Sequence, residues 1–211
     1  MAAGVSKLVY GSSASVYGPG GPFKEEDPCR PIGPYAASKL KGEGEVRTGG
    51  ERGLAVVVVR LGTVFGSAPA MRFDGVANRF AYLVGVGRPV VIHGGGRQMR
   101  PLIHIHDASA VLRMCLADPR AEGETINAAT MNPSVNQIAE TLQTIVPGAA
   151  VRQTAQNVLN VLSFEVDAAK LLGMGFTPRV DLARGMRSIL ARWQNINAMP
   201  GSALDASMFI D

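Results

Sequence analysis

The stretch "PYAASKLKGEGEVRTGGERGLAVVVVRLG" (residues 34–62) decides the fold. Its second half, "LAVVVVRL" (54–61), is an unbroken apolar run that ends in Arg60 and Leu61. A strand with one wet face alternates apolar and polar residues. A continuous run reads instead as a strand covered on both faces, the habit of parallel sheets. The first half reads as a helix over residues 34–52, with Pro34 near its first turn, where a missing N–H costs nothing. Upstream, "VSKLVYG" (5–11) follows Gly4 and reads as a further short strand rich in Val, Leu and Tyr. Strand, helix and strand at this spacing make a βαβ unit, and hence an α/β fold built on a parallel sheet.

Working outward, residues 12–34 form a loop dense in Ser, Gly and Pro, and "GTVFGSAPAMRFDG" (62–75) forms another. Residues 75–86 read as helical. "PVVIHGGGRQMRPLIHI" (89–105) reads as two short strands around a glycine-rich turn. "HDASAVLRMCLAD" (106–118) is a helix with Asp107 near its start, "ETINAA" (124–129) a strand, and "PSVNQIAETLQTIV" (133–146) a helix. Residues 165–173 and 180–193 read as two more helices. The last stretch, "QNINAMPGSALDASMFID", lacks periodicity and reads as a frayed tail. There is no internal repeat.

The 211 residues fit one domain, or one with a small appended lobe, and 46% apolar content allows a sizeable core. The net charge of +4 is a mild excess with no basic run, which argues against nucleic acid and fits an ordinary surface or a phosphate-bearing small ligand. Cys29 and Cys115 lie far apart and form no CxxC pair, so neither a disulfide framework nor a zinc site is implied, and a reducing cytoplasm is the simple inference. No apolar stretch is long enough to span a bilayer, and the N-terminus does not read as a signal peptide.

Chemistry concentrates around "PYAASK". Tyr35 and Lys39 stand four apart, on one face of the expected helix. A free tyrosine has a pKa near 10 and is a poor base at neutral pH; a neighbouring ammonium and a hydroxyl donor stabilise its phenolate. Ser12 and Ser13 sit where the first strand ends, which in an α/β sheet faces the ligand crevice. The same spacing also arises when a packed ring lies beside a solvated amine. Three companions favour chemistry: the Ser-Ser strand end, the buried strand ending in Arg60, and "RPLIHIHD" (100–107), in the order expected around one crevice.

With those pieces on the page, the chain resembles the extended short-chain dehydrogenase/reductases, in the group of NAD-dependent epimerases and dehydratases that act on nucleotide sugars. "LVYGSSASVYG", "PYAASKLKGE", "VVVVRLGTVFG", "RPLIHIHDASAV", "INAAT" and "LLGMGFTP" carry the resemblance, from residue 5 to about 190. It implies a partial Rossmann-type parallel sheet, its first βα units absent, with a small α/β substrate-binding lobe. Residues 1–66 would be the C-terminal part of the Rossmann-like domain. Residues 67–194 would be the lobe interleaved with the last strands, and 195–211 a flexible tail. It implies transient oxidation of a sugar hydroxyl, with Tyr35 as acid/base, Lys39 as its electrostatic partner and ribose ligand, and Ser13 polarising the same oxygen. Ser12, Tyr35, Lys39 and Gly62 would contact the cofactor, NAD or NADP. Ser13, Ser15, Thr63 and Arg100 would contact the nucleotide sugar, Arg100 gripping the diphosphate, as suits a bidentate guanidinium.

The departures are informative. Ala14 and Ser15 stand where 4,6-dehydratases of the group carry Asp-Glu, which disfavours dehydration. Thr63 replaces a frequent Asn, and Leu162 stands where a second diphosphate-binding Arg is expected. No glycine-rich turn qualifies as a dinucleotide fingerprint: "GPGGPF" (18–23), "GVGRP" (85–89) and "HGGGRQ" (93–98) all read as turns. The expected chain is thus the later two-thirds of such an enzyme, with strand 5–11 bare along one edge, prone to self-association or to pairing with a missing half. Two other readings stay open: a silent remnant or nucleotide-sugar-binding module, and a cofactor-independent proton-transfer enzyme reusing Tyr35 and Ser13. His104 and His106 read as structural rather than metal ligands, and Cys29 as a bystander thiol.

Overall fold

A computed structural model describes residues 4–51, 53–155 and 162–193. Within these, two compact units form: one drawn from residues 4–51, 53–64, 99–132 and 162–179, the other from 65–98, 133–155 and 180–193. The tail expected at 195–211 lies outside the described residues.

The first unit is built on a three-stranded parallel sheet. Strands β1 (Lys7–Ser13), β3 (Ala55–Leu61) and β7 (Thr125–Ala128) run in the order β1-β3-β7. The βαβ unit read from the sequence is therefore present: helix α1 (Gly33–Gly50) joins β1 to its neighbour β3. The apolar run of β3 feeds both faces. Val57 and Val59, both wholly buried, pack with Val111 and Cys115 of helix α3 (Ile105–Ala117) and with Leu171 of the short helix α5 (Ala169–Gly173). The alternate residues turn toward α1, where Arg60 meets Glu43. Each fully buried valine or leucine here is worth about 1.5–3 kcal/mol. Among the described residues β1 pairs only with β3 and lies at the edge of the three-stranded sheet; Val5 just before it is 53% exposed.

The loop expected at 12–34 is more structured than its composition suggests. A single 3-10 turn over Ala14–Tyr17 is followed by strand β2 (Gly20–Phe23), which pairs in parallel with β9 (Phe164–Val166). Ala14, Val16, Tyr17, Phe164 and Val166 close a second small core beneath it. The segment read as one helix over 165–173 is thus corrected: its first residues complete β9 and only Ala169–Gly173 is helical. Likewise the loop after residue 62 begins with strand β4 (Thr63–Phe65), paired with β6 (Leu102–His104).

The second unit holds helices α2 (Val76–Gly85), α4 (Val135–Ile145) and α6 (Leu182–Trp193), close to the ranges expected, and a parallel pair of strands, β5 (Val90–His93) and β8 (Val151–Thr154). Strand β8 was not anticipated; it is short and half polar. Ser134 and Gln137 form a reciprocal capping box at the start of α4. Phe80, Ile138, Leu142, Met186, Ile189 and Leu190 supply buried side chains.

Candidate active site

Tyr35 lies in the first turn of α1 and is 57% exposed, its ring available to a ligand. One turn on, Lys39 reaches back to the sheet: its ammonium donates to the Gly11 carbonyl of β1 at 2.9 Å. The same nitrogen lies 5.9 Å from the centre of the Tyr35 ring and 5.5 Å from that of Tyr10. A cation at that range is attracted by a ring face. Two residues beyond Gly11, Ser13 ends β1 and caps the 3-10 turn. Its oxygen accepts from the Ser15 amide at 3.2 Å and lies 2.9 Å from the Ser15 hydroxyl. The end of β1 thus carries two half-buried hydroxyls in hydrogen-bond contact, and Lys39 ties α1 to the strand just before them.

Ser12 is placed differently from Ser13. It is 3% exposed, and its hydroxyl donates to Glu43 at 2.5 Å, so that hydroxyl is committed to the protein interior rather than offered to a cofactor. Gly62 follows β3. A side chain there would meet the Pro101 carbonyl at 2.8 Å and the Ala129 methyl at 3.0 Å, so close packing accounts for the glycine. Thr63 donates its amide to Pro101 at 2.8 Å. Arg100 bonds the carbonyls of Met99, at 2.8 Å, and Leu162, and no carboxylate among the described residues pairs with it. Burial lowers its pKa, the mark of a cation lacking a counter-charge.

Beneath the site lies a buried polar network that the reading of the sequence passed over, apart from Arg60. Arg60 forms a two-pronged bond to Glu43, Nε to Oε1 at 3.0 Å and Nη2 to Oε2 at 2.8 Å. Its other nitrogen donates to the Tyr17 hydroxyl at 2.8 Å, which donates in turn to Asn127 at 2.7 Å. Asn127 also bonds Glu25 through its amide and the Phe23 and Asp167 carbonyls through its side chain. Burial alone would lower the Arg60 pKa, but its bonds to Glu43 and Tyr17 outweigh that and raise it. The signal for Glu43 was visible: it extends the Tyr35 and Lys39 spacing by one more turn, but a glutamate on a helix ordinarily reads as surface.

His104 and His106 stack at 5.1 Å, and His104 Nδ1 accepts from the His106 amide as the cap of α3. Cys29 is half-buried, and burial raises its pKa, as it does that of Cys115. Among the described residues no group of three or more His, Cys, Asp or Glu is arranged to hold a metal ion, and no helix is long and apolar enough to cross a membrane.

A parallel α/β sheet with Ser-Ser at one strand end and a Tyr–Lys helix beside it defines a short-chain dehydrogenase/reductase architecture. Comparison with known proteins agrees. The family model described as "NAD dependent epimerase/dehydratase family" matches residues 1–129, and the chain belongs to that family. It is 32% identical over 203 residues to UDP-glucuronate 4-epimerase of Thermodesulfobacterium geofontis, covering 92% of this chain and 61% of that protein. Among solved structures it resembles MoeE5 in complex with UDP-glucose and NAD, at 29% identity and a TM-score of 0.79, covering 90% of this chain and 65% of that one. It also resembles UDP-glucuronic acid 4-epimerase from Bacillus cereus in complex with UDP-glucuronic acid and NAD, at 25% identity and a TM-score of 0.80, covering 90% of this chain and 62% of that one. The chain therefore spans less than two-thirds of the length of these relatives.

Proposed function

We propose that this chain carries the acid–base and substrate half of a nucleotide-sugar epimerase-type oxidoreductase that oxidises a sugar hydroxyl transiently. The observation that carries the reading is Lys39, anchored to Gly11 at 2.9 Å and 5.9 Å from the Tyr35 ring, next to the paired hydroxyls of Ser13 and Ser15. Tyr35 takes the proton of the sugar hydroxyl and later returns it. Ser13, with Ser15 behind it, holds that oxygen in place. Lys39 stabilises the negative charge on Tyr35 as the proton moves. Ala14 and Ser15 put no carboxylate beside Ser13, which favours epimerisation over loss of water.

The donor set fits the ribose and redox end of a nicotinamide cofactor. Lys39 offers an ammonium and Tyr35 an exposed hydroxyl at the carboxyl end of β1, where ligands of such sheets sit. When bound, the cofactor supplies the two-electron oxidant for the neighbouring carbon. The pyrophosphate end is not matched: among the described residues no strand passes through a glycine-rich turn into a helix N-terminus. The proposal therefore covers the acid–base and substrate half of the reaction, not full activity of this chain alone. Association along the open edge of β1 with a second copy is also part of the proposal. Arg100, whose charge meets only carbonyls among the described residues, is assigned to the substrate diphosphate, with Thr63 as a further sugar contact. It also favours a second reading, a nucleotide-sugar-binding module without redox chemistry.

Titration of the purified chain separates these. Protection against thermal unfolding by both NAD and UDP-glucose, with quenching of NADH fluorescence, supports the oxidoreductase. Protection by UDP-glucose alone supports the binding module. No response to either overturns both.

A further inference from the structure

Helix α1 is docked on its sheet in an unusual way. Of its eighteen residues only Ala36 and Glu43 are buried. A surface helix ordinarily sinks an apolar stripe into the core. Here the groups that tie the helix to the sheet are polar. Tyr35, Lys39, Glu43 and Arg47 recur every fourth residue, and the last three each bond a strand of the sheet. Lys39 bonds Gly11 of β1; Glu43 bonds Ser12 of β1 and Arg60 of β3; Arg47 bonds Thr125 of β7. The strand residues are themselves aligned. Ser12 is the register partner of Arg60, and Arg60 of Asn127, so one polar row crosses all three strands at a single level.

Apolar contacts tolerate small slides; a two-pronged carboxylate–guanidinium bond has fixed distances and directions. A slip of α1 by one residue, about 1.5 Å along and about 100° around its axis, would break the Glu43 bonds to both strands. The side-chain exposures of Arg60 and Glu43, 7% and 3%, leave no water to replace them. We infer that Glu43 is a positioning residue: gripped by Ser12 and Arg60, it sets the register of α1 on the sheet and so holds Lys39 and Tyr35 at the end of β1. This inference rests on the roles proposed above for Tyr35 and Lys39.

A merely stabilising pair can be exchanged for apolar residues of similar size without harm to its surroundings. The test therefore uses the paired substitution Glu43→Leu with Arg60→Met, and reads the geometry of Lys39 directly. Lysine-labelled chain is studied by carbon–proton NMR, with Lys39 assigned by Lys39→Arg. With its ammonium near the Tyr10 and Tyr35 rings, the terminal methylene of Lys39 is expected to resonate upfield of the other lysines. In the paired variant, folded by circular dichroism and a cooperative melt, that upfield shift is lost; in Ser12→Ala it is reduced. A folded paired variant that keeps the shift overturns the inference, as does a wild-type Lys39 that resembles the other lysines. Should the paired variant fail to melt cooperatively, Ser12→Ala decides, and an unchanged Lys39 resonance there is the overturning result. The functional reading fails on a separate observable, when wild type with an intact Lys39 signature binds neither NAD nor UDP-glucose.

Discussion

The Ser12 hydroxyl donates to Glu43 at 2.5 Å, joining a strand and a helix 31 positions apart in the chain. Glu43 is at the same time the sole carboxylate partner of the Arg60 guanidinium among the described residues. Removing either member alone strands a buried charge. Glu43→Leu or Arg60→Met is expected to cost about 3–5 kcal/mol, and the two together much less than the sum. Urea unfolding of the three variants checks this; additive costs would mean that the two groups do not interact.

The pattern of what could be read from the sequence follows from that network. The βαβ unit was legible because Val56 to Val59 leave no alternative to a doubly covered strand, and Tyr35 and Lys39 because helical spacing pairs them. The depth of α1 was not legible. Its docking groups are charged, and charge in a helix reads as solvent-facing until a partner such as Arg60 is seen across the sheet. Strands β2, β4, β8 and β9 were missed for a different reason: at three or four residues each they are too short for alternation to register, and β2 is made of Gly-Gly-Pro-Phe. Glu165 and Val166 of β9 were absorbed into a helix for want of any punctuation between them and Ala169.

Tyr17 sets an alkaline limit. Burial pushes its phenol up to about 12, against the pull of Arg60 and Asn127. The folded value lies above the free value near 10, so the fold favours the neutral form. Its contribution is whole below about pH 10 and is lost as the pH climbs toward about 12. Denaturant midpoints should fall over that window, and tyrosinate absorbance should show Tyr17 among the last to ionise. A flat stability profile across the window would show that the phenol is not held as described.

Two glycines predict opposite outcomes. At Gly62 a new methyl meets the Pro101 backbone at 2.8 Å, which cannot swing aside, so Gly62→Ala is expected to cost about 1–3 kcal/mol. At Gly44, exposed on α1 with nothing within 4 Å, Gly44→Ala is expected to add up to about 1 kcal/mol through helix propensity. Melting curves of the two variants should shift in opposite directions.

The thiols should differ in reactivity. Cys115 is fully buried against β3, and burial pushes its pKa up to about 11. Cys29 is only half-buried. An aromatic disulfide reagent should modify Cys29 first, and Cys115 only as the protein unfolds. Equal rates under native conditions would contradict the packing of α3.

Tyr35→Phe separates chemistry from folding. With the side chain 57% exposed, stability should change by no more than about 0.5 kcal/mol. Any oxidation of a nucleotide sugar by this chain, alone or with a partner completing the sheet, should disappear. A variant that retains turnover would remove Tyr35 from the acid–base role.

The row formed by Ser12, Arg60 and Asn127 also bears on how the chain reaches its fold. The apolar residues on β1, β3 and β7 are similar enough that strands offset by one place would still bury valine and isoleucine. Such an offset turns every side chain to the opposite face of the sheet. Arg60 would then face the apolar packing of α3 instead of Glu43, a cost no valine could hide. Three polar side chains thus serve as an alignment mark for strands whose apolar residues cannot tell one register from the next.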